Sequence, residues 1–414
     1  MSDDQPSGKD DASPMRIAVV IESFDPRQGG NERSTREIVE RLAQRGHAVT
    51  LICGCCDPST IPEGVAHMSF GKRKPSTALQ LMRFRTWAMH ELAVGLFDTS
   101  MSVTMAVPAA VMQPRGGTIR ETIERNIALR GSALAQKAKR LAIAINPKQR
   151  TLLALERKTL QDPSVHAVAA LSGYVKRQLA EHYALHDDEV VVIPNGAVVE
   201  PMGDAERDDV RGRVRRAFRI PDEATLFVFA AQNPRLKGFG PLIAALRRLK
   251  DDGVEAVVLL AGKYRYTHVS WIAQMGVRDR VRMVGPTDDM RSLYAAADVT
   301  VLPTFYDPAS KVVLESLMLG TPAISTHYNG ASEFLTEDGG QYSGPPRGRV
   351  IDEPADHAAL AAAMAELCDP EALAACRAVM GDVAEQVSMA THVTALETLL
   401  RRAARQATGG GEPA

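Results

Sequence analysis

The sequence predicts an α/β protein made of two doubly wound, Rossmann-like domains that face each other across a cleft. Three observations carry this reading. The chain has 414 residues, more than one hydrophobic core usually organises. In both halves short β-rich apolar runs alternate with amphipathic helical stretches, the rhythm of a parallel sheet with covered faces. A charged, Pro- and Gly-bearing stretch separates the halves, after which the rhythm starts afresh.

Residues 1–14, MSDDQPSGKDDASP, are polar and acidic-rich and read as a disordered tail without the basic start and apolar core of a secretory signal. Structure begins at Arg16 to Glu22, RIAVVIE, a buried parallel strand by composition. After the loop SFDPRQGGNER, the residues Ile38, Val39 and Leu42 share one helical face between Ser34 as cap and Gly46 as stop. Ala48 to Cys53, AVTLIC, is the next strand, which completes a βαβ unit. Val165 to Ser172 and Glu189 to Gly196 read as further strands around a helix from Gly173 to His182. This first domain spans 15–200, and 201–222 is the expected linker.

The second domain, 223–388, alternates more cleanly: TLFVFAA, FGPLIAALRRLK, AVVLLAG, VRMVG, MRSLYAAA, VTVLP, KVVLESLML and PAIST. Residues 389–414 hold a C-terminal helix and then a tail. The first βα turn lacks the Gly-x-Gly-x-x-Gly fingerprint, and the second strand ends in Cys53 rather than an acidic ribose ligand, so a dinucleotide-dependent dehydrogenase is excluded.

A formal net charge of −1 gives no global basic surface and points away from nucleic acid as a partner. No apolar run reaches the roughly 18 residues that a membrane-spanning helix needs. Five cysteines in so long a chain make no disulfide framework, and the trio Cys53, Cys55 and Cys56 has no further ligand at zinc-like spacing. A reducing, cytoplasmic setting fits that usage.

Two loops carry the chemistry. After TLFVFAA comes QNPRLKG, with Arg235, Lys237 and Gly238 at the carboxyl edge of a sheet, where α/β proteins bind ligands. Arg as a fork and Lys as a point charge suit a diphosphate, although a solvated basic loop reads the same way in isolation. After VTVLP comes TFYDPASKVVLE, with Asp307 before a helix and Glu315 eight residues later inside it. On the apolar helix KVVLESLML a carboxylate is costly unless a polar partner such as a ribose diol meets it; the alternative is simple exposure.

Together RIAVVIE, GGNERSTREIVERLAQRGHAVTLI, VVVIPNG, NPRLKG and LYAAADVTVLPTFYDPASKVVLESLMLGTPAISTHYNGASEFL resemble the retaining glycosyltransferases of family 4, with the GT-B fold. In layout the chain is similar to the lipopolysaccharide core glucosyltransferase I group within them. The resemblance implies transfer of a hexose from a UDP-, GDP- or ADP-sugar to a glycan or lipid-linked acceptor, in cell-envelope polysaccharide or lipopolysaccharide synthesis. It implies no metal and no cofactor beyond the nucleotide sugar. Gly29 and Gly30 would offer backbone N–H groups to the donor phosphate, and Arg235 with Lys237 would hold the diphosphate. Glu315 would bind the ribose, Asp307 the transferred sugar, and Ser310, Lys311 and Val312 would add helix-end N–H groups. The C-terminal helix within residues 389–414 would pack back toward the first domain.

This sequence departs from the family pattern at three places. Asp307 stands where Glu is usual, one methylene shorter. Arg235 and Lys237 are closer together than in common members. No first-domain histidine is evident, and QPRGGT occupies the comparable region, with Arg115 a candidate contact to donor or acceptor. A sugar-nucleotide epimerase and a noncatalytic nucleotide-sugar-binding protein are the alternatives, separable by product formed without acceptor and by binding without transfer.

From Arg115 to Lys158 eleven Lys or Arg face three Glu, interleaved with apolar groups. Such a segment suits an anionic membrane surface on the inner face of the cytoplasmic membrane, or else ordinary solvated helix faces. His327 near the Asn329-Gly330 turn reads as a packing or loop residue beside the donor motif, and Glu333 on the same loop resembles a family position near the donor.

Overall fold

The computed structural model describes residues 13–407 except 28 and 337–339, so the expected tail lies, through residue 12, outside them. The first domain runs β1 (Arg16–Ile21), α1 (Gly30–Gln44), β2 (Ala48–Cys53), β3 (Ala66–Ser69), α2 (Ala78–Val94), β4 (Thr99–Ser102) and β5 (Val111–Met112). It continues through α3 (Ile119–Ala128), α4 (Ala133–Ala144), α5 (Pro147–Leu160), β6 (Ala167–Ala170), α6 (Gly173–Tyr183) and β7 (Val190–Val192). The strands form one parallel sheet in the order β3-β2-β1-β4-β5-β6-β7. Val19 of β1 pairs with Leu51 of β2 on one side and Met101 of β4 on the other.

The second domain opens with α7 (Asp204–Ala217), β8 (Thr225–Ala231), α8 (Phe239–Asp251), β9 (Ala256–Gly262), α9 (Tyr266–Gln274), β10 (Val281–Gly285) and α10 (Met290–Ala296). Then follow β11 (Val299–Val301), α11 (Lys311–Met318), β12 (Ala323–Thr326), β13 (Gly348–Ile351), α12 (His357–Glu366), α13 (Pro370–Ala378) and α14 (Val383–Gln386). Its parallel sheet has the order β10-β9-β8-β11-β12-β13. In each sheet the order reverses beside the first strand, and ligands of such sheets bind outside the carboxyl ends at that switch point. The loops after β1 and β4 therefore confront those after β8 and β11.

Two elements differ from the sequence-based expectation. The first helix starts at Gly30, a turn before Ser34, because Gly29 takes the extended cap conformation and Ser34 is buried inside the helix. Residues 201–222, expected as irregular linker, contain α7, which packs on α10; Arg211 and Arg215 pair there with the buried Asp298. The high charge that suggested a linker is that helix's solvated face plus this buried ion cluster. The closing helix follows the expectation from the resemblance: α15 (Met389–Ala407) crosses back to the first domain, where Val393, Leu396, Leu399 and Leu400 are buried in the same core as Ile38 and Leu42 of α1.

Among the described residues no helix is long and apolar enough to cross a membrane.

Candidate active site

The loop after β8 is a tight helical turn, with Lys237 N–H bonded to the Asn233 carbonyl and Phe239 N–H to that of Pro234. It presses on the end of β11. A Cβ at Gly238 would stand 2.0 Å from the Pro303 carbonyl oxygen, and φ there is +85°, so only glycine allows this approach. The approach brings Lys237 Nζ to 2.6 Å from Asp307 Oδ2 and 3.0 Å from the Tyr306 carbonyl. Arg235 is not brought to that pair. Residues two apart in a helical turn project to different sides, and the Arg235 guanidinium instead reaches the Leu129 carbonyl of the first domain at 3.4 Å. The side-by-side clamp of Arg235 and Lys237 expected from sequence is thus absent from this arrangement.

Asp307 is held from the second glycine-bearing loop. Its N–H donates to the Tyr328 carbonyl and its own carbonyl accepts from Gly330, while its Oδ1 takes the Ala309 N–H at 3.2 Å. Asn329, fully buried, accepts from the N–H groups of Ser310 and Ala331, both at 3.1 Å, and so fixes the entry to α11. Sequence reasoning noted the Asn329-Gly330 turn without giving Asn329 this work; its signal was an Asn-Gly pair just after a strand.

At the start of α11, helix geometry leaves the N–H groups of Lys311, Val312 and Val313 without intrahelical acceptors, and the first turn of α1 after Gly29 does the same from the opposite domain. Both ends carry the positive pole of a helix dipole. Neither N-cap residue, Gly29 or Ser310, caps its helix with its own side chain, and a Cβ at Gly30 would meet open space. Helix amino ends of this kind, here at the switch points of the two sheets, suit an anion.

Glu315 lies one turn further along α11, with the Tyr294 hydroxyl donating to its Oε2 at 3.2 Å. Burial pushes its carboxyl up to about 7, against the attraction of Lys311 and the Tyr294 hydrogen bond. The Lys311 ammonium reaches back to Glu37 Oε2 of α1 at 2.7 Å and so ties the domains together. Burial lowers its pKa, opposed by Glu37, and the Arg115 charge lowers it further.

Arg115 is buried. Its guanidinium donates to Gln113 Oε1 at 2.8 Å and to Asn195 Oδ1 at 2.7 Å, and Asn195 Nδ2 donates onward to the Ala309 carbonyl. Desolvation brings it down to about 10, with Glu37 opposing. His392 of α15 completes the cluster, its Nδ1 donating to the Pro194 carbonyl at 2.6 Å while Nε2 faces Gln113 Nε2 at 3.4 Å. Burial and the Arg115 charge hold the imidazole down to about 3, hence neutral. His392 was invisible as a site residue because it belongs to the sequence-distant closing helix.

The domains meet through further specific bonds. Glu333 accepts the N–H groups of Gly173 at 2.8 Å and Tyr174 at 2.6 Å, which caps α6 from across the cleft. Ser172 Oγ donates to the Pro308 carbonyl at 2.7 Å, and a Cβ at Gly330 would collide with both groups. The Tyr306 hydroxyl donates to the Gly116 carbonyl at 3.0 Å. His327 stays at the surface beside Asp352.

Comparison with known proteins agrees with this geometry. Residues 28–200 match the family described as Glycosyltransferase Family 4, and residues 210–382 match Glycosyl transferases group 1. A protein of Burkholderia thailandensis named "Probable transglycosylase" is 30% identical over 272 residues, 63% of this chain and 67% of its own length. Two other curated relatives are matched over only 48% and 36% of their lengths, so the chain spans about half of them or less. Among solved structures, WaaG, a glycosyltransferase involved in lipopolysaccharide biosynthesis, superposes with a TM-score of 0.69 at 19% identity, over 95% of this chain and 100% of that one. Anabaena HepE in complex with UDP gives 0.65 at 16% identity, over 94% and 100%. Both show the same two-domain GT-B fold. With its two domains matched in order and its switch-point loops facing one another, the chain belongs to the family 4 glycosyltransferases.

Proposed function

We propose that the protein transfers a hexose, with retention of configuration, from a nucleoside-diphosphate sugar to a glycan or lipid-linked acceptor in cell-envelope polysaccharide or lipopolysaccharide synthesis. The observation that carries this is the convergence of Lys237, Asp307 and the amino ends of α11 and α1 on one cleft. Sugar transfer leaves charge on the departing diphosphate, and fixed cations with backbone N–H groups stabilise it where it grows.

In this reading Lys237 follows the leaving diphosphate, while the N–H groups of Lys311 and Val312, with Ser310 as cap, and those after Gly29 and Gly30 line the phosphates. Arg115, buried beside Lys311 and Glu37, adds a fixed positive charge behind them. Glu315 takes the ribose hydroxyls, and Asp307 the hydroxyls of the sugar. Transfer proceeds without metal, since these groups carry the charge.

The relatives support the donor class: HepE is described with UDP, and WaaG acts in lipopolysaccharide biosynthesis. UDP-glucose is the first donor to test, before GDP- and ADP-sugars. Work at the inner face of the cytoplasmic membrane follows from a lipid-linked acceptor and from the basic flank of α3 to α5. A thermal-shift panel of nucleotide sugars tests the reading, because a ligand bound only by the folded state raises its stability. Stabilisation by one of them, followed by transfer of its sugar to an envelope-glycan extract, supports it. No stabilisation by any of them overturns it.

A further inference from the structure

Two cavities of the first domain adjoin. One, of about 420 Å³, opens at the carboxyl ends of β1 and β4, where the Thr104 hydroxyl donates to Glu22 Oε1 at 2.6 Å. It also holds Gly116 and Gly117, against which Tyr306 of the second domain rests. The other, of about 400 Å³, is a groove between α3, α4, α5 and the loop after β8. Ile119, Thr122 and Leu152 line both, so they form one path leading away from the cleft.

The groove has an unusual wall. Ile123, Leu129 and Ile143 are aliphatic, and the charged residues lining it are Arg130, Lys139 and Arg235, with no acid among them. On the same helices Arg120 and Arg140 pair with Glu124, whereas none of the three groove cations enters an ion pair among the described residues. Carbohydrate is usually met by carboxylates and aromatic platforms, and neither lines the groove. Its walls instead match an anionic head on an apolar chain.

Helix α4 shows where that chain leads. Lys139 and Ile143, four residues apart, face the groove, and Leu134, Leu141 and Ile145 lie on the opposite side of the helix. Those three are 79%, 65% and 70% exposed, and α4 buries no residue at all. The helix is a thin partition between the groove and an apolar outer rim.

We propose that this groove binds the phosphate and first chain units of a lipid-linked acceptor whose sugar sits in the adjoining Glu22 pocket. The assignment rests on the transferase reading above. Arg130 and Lys139 belong to the first domain and Arg235 to the second, so a phosphate there is gripped from both sides of the cleft. Acceptor binding then favours the closed form, and Arg235 serves acceptor rather than donor.

Calorimetric titration of the full chain with farnesyl phosphate, farnesol and inorganic phosphate tests this, with UDP titrated in parallel. Farnesyl phosphate binds, and farnesol and inorganic phosphate bind about tenfold more weakly or not at all, because each lacks half of the match. Arg235→Ala and Lys139→Ala each weaken farnesyl phosphate about fivefold or more and leave UDP unchanged. Arg235→Ala also separates the groove from the outer face of α4, on which Arg235 does not lie. Equal binding of farnesol and farnesyl phosphate, no binding of farnesyl phosphate, or variants that lower UDP affinity instead would overturn the assignment. Absence of UDP binding in the wild type would count against the donor site itself, a result distinct from each of these.

Discussion

Lys237 Nζ sits 2.6 Å from Asp307 Oδ2, so the cation expected to meet the diphosphate is paired with the carboxylate expected to meet the sugar. A donor must insert between them or share the lysine. Both side chains are partly exposed, which leaves them room to separate.

Lys237→Ala is therefore expected to lower kcat by about a hundredfold or more, on the order of 3 kcal/mol, with a smaller loss of donor affinity. Steady-state transfer together with UDP calorimetry checks this. An unchanged kcat with weaker UDP binding would confine Lys237 to the ground state.

Asp307→Ala is expected to abolish transfer while UDP binds as well as before or more tightly, since the freed ammonium no longer has to leave a carboxylate. The complete nucleotide sugar should bind less tightly to the variant than to the wild type, because only it presents sugar hydroxyls. Equal weakening of UDP and nucleotide sugar would place Asp307 elsewhere.

Glu315 makes the site sensitive to pH. Its carboxyl is raised from 4.5 to about 7 by burial, so the fold favours the protonated form. That contribution to stability is complete below about 4.5 and is lost as pH rises through 7. Ribose hydroxyls donate to the ionised form, so UDP affinity should rise across the same window with release of a proton. Titration in buffers of different ionisation enthalpy measures the proton, and Glu315→Gln should remove the slope and weaken UDP about tenfold or more. A pH-independent affinity in the wild type would contradict this.

Much of this was legible in the sequence because both sheets announce themselves as apolar runs between helices, and because a carboxyl-edge loop always follows a strand. TLFVFAA and VTVLP located Lys237 and Asp307 before any contact was known. The direction of Arg235 was not legible, since it depends on a helical turn pinned by Gly238 against Pro303. Nor was the cluster of Arg115, Gln113, Asn195 and His392, whose members are gathered from three distant stretches by the crossing of α15. Periodicity reads the faces of elements and not which faces meet.

Domain closure has its own test in Glu333. Its carboxylate caps α6 across the interface, and burial raises its pKa against those two hydrogen bonds. Glu333→Ala should leave the part-buried Gly173 N–H and the buried Tyr174 N–H without this acceptor, at about 1–3 kcal/mol for the buried one. The expected result is a lower melting temperature and a larger radius of gyration in solution scattering, both partly restored in Glu333→Gln. An unaltered radius would mean that closure rests on Lys311–Glu37 and Tyr306 instead.

Metal dependence and membrane contact remain to be separated experimentally, and one preparation serves both. Transfer should persist in EDTA, because Lys237 and the helix ends supply the positive charge; complete loss restored by a divalent ion would refute that assignment. For the membrane, the exposed Leu134, Leu141 and Ile145 of α4 lie on a segment with eleven basic residues against three acidic ones, and α2 adds exposed Leu79, Met82 and Val94. Apolar side chains interleaved with cations bind best where lipid offers both a boundary and negative charge. The protein should thus sediment with vesicles containing anionic lipid, sediment less with neutral ones, and be released as salt shortens the Debye length below about 8 Å. Leu134→Gln with Leu141→Gln should reduce sedimentation at every salt concentration and leave UDP affinity intact, since both side chains are exposed on the outer face of α4. Equal sedimentation with both vesicle types, or with neither, would remove the membrane from the account and leave the groove behind α4 to a freely diffusing acceptor.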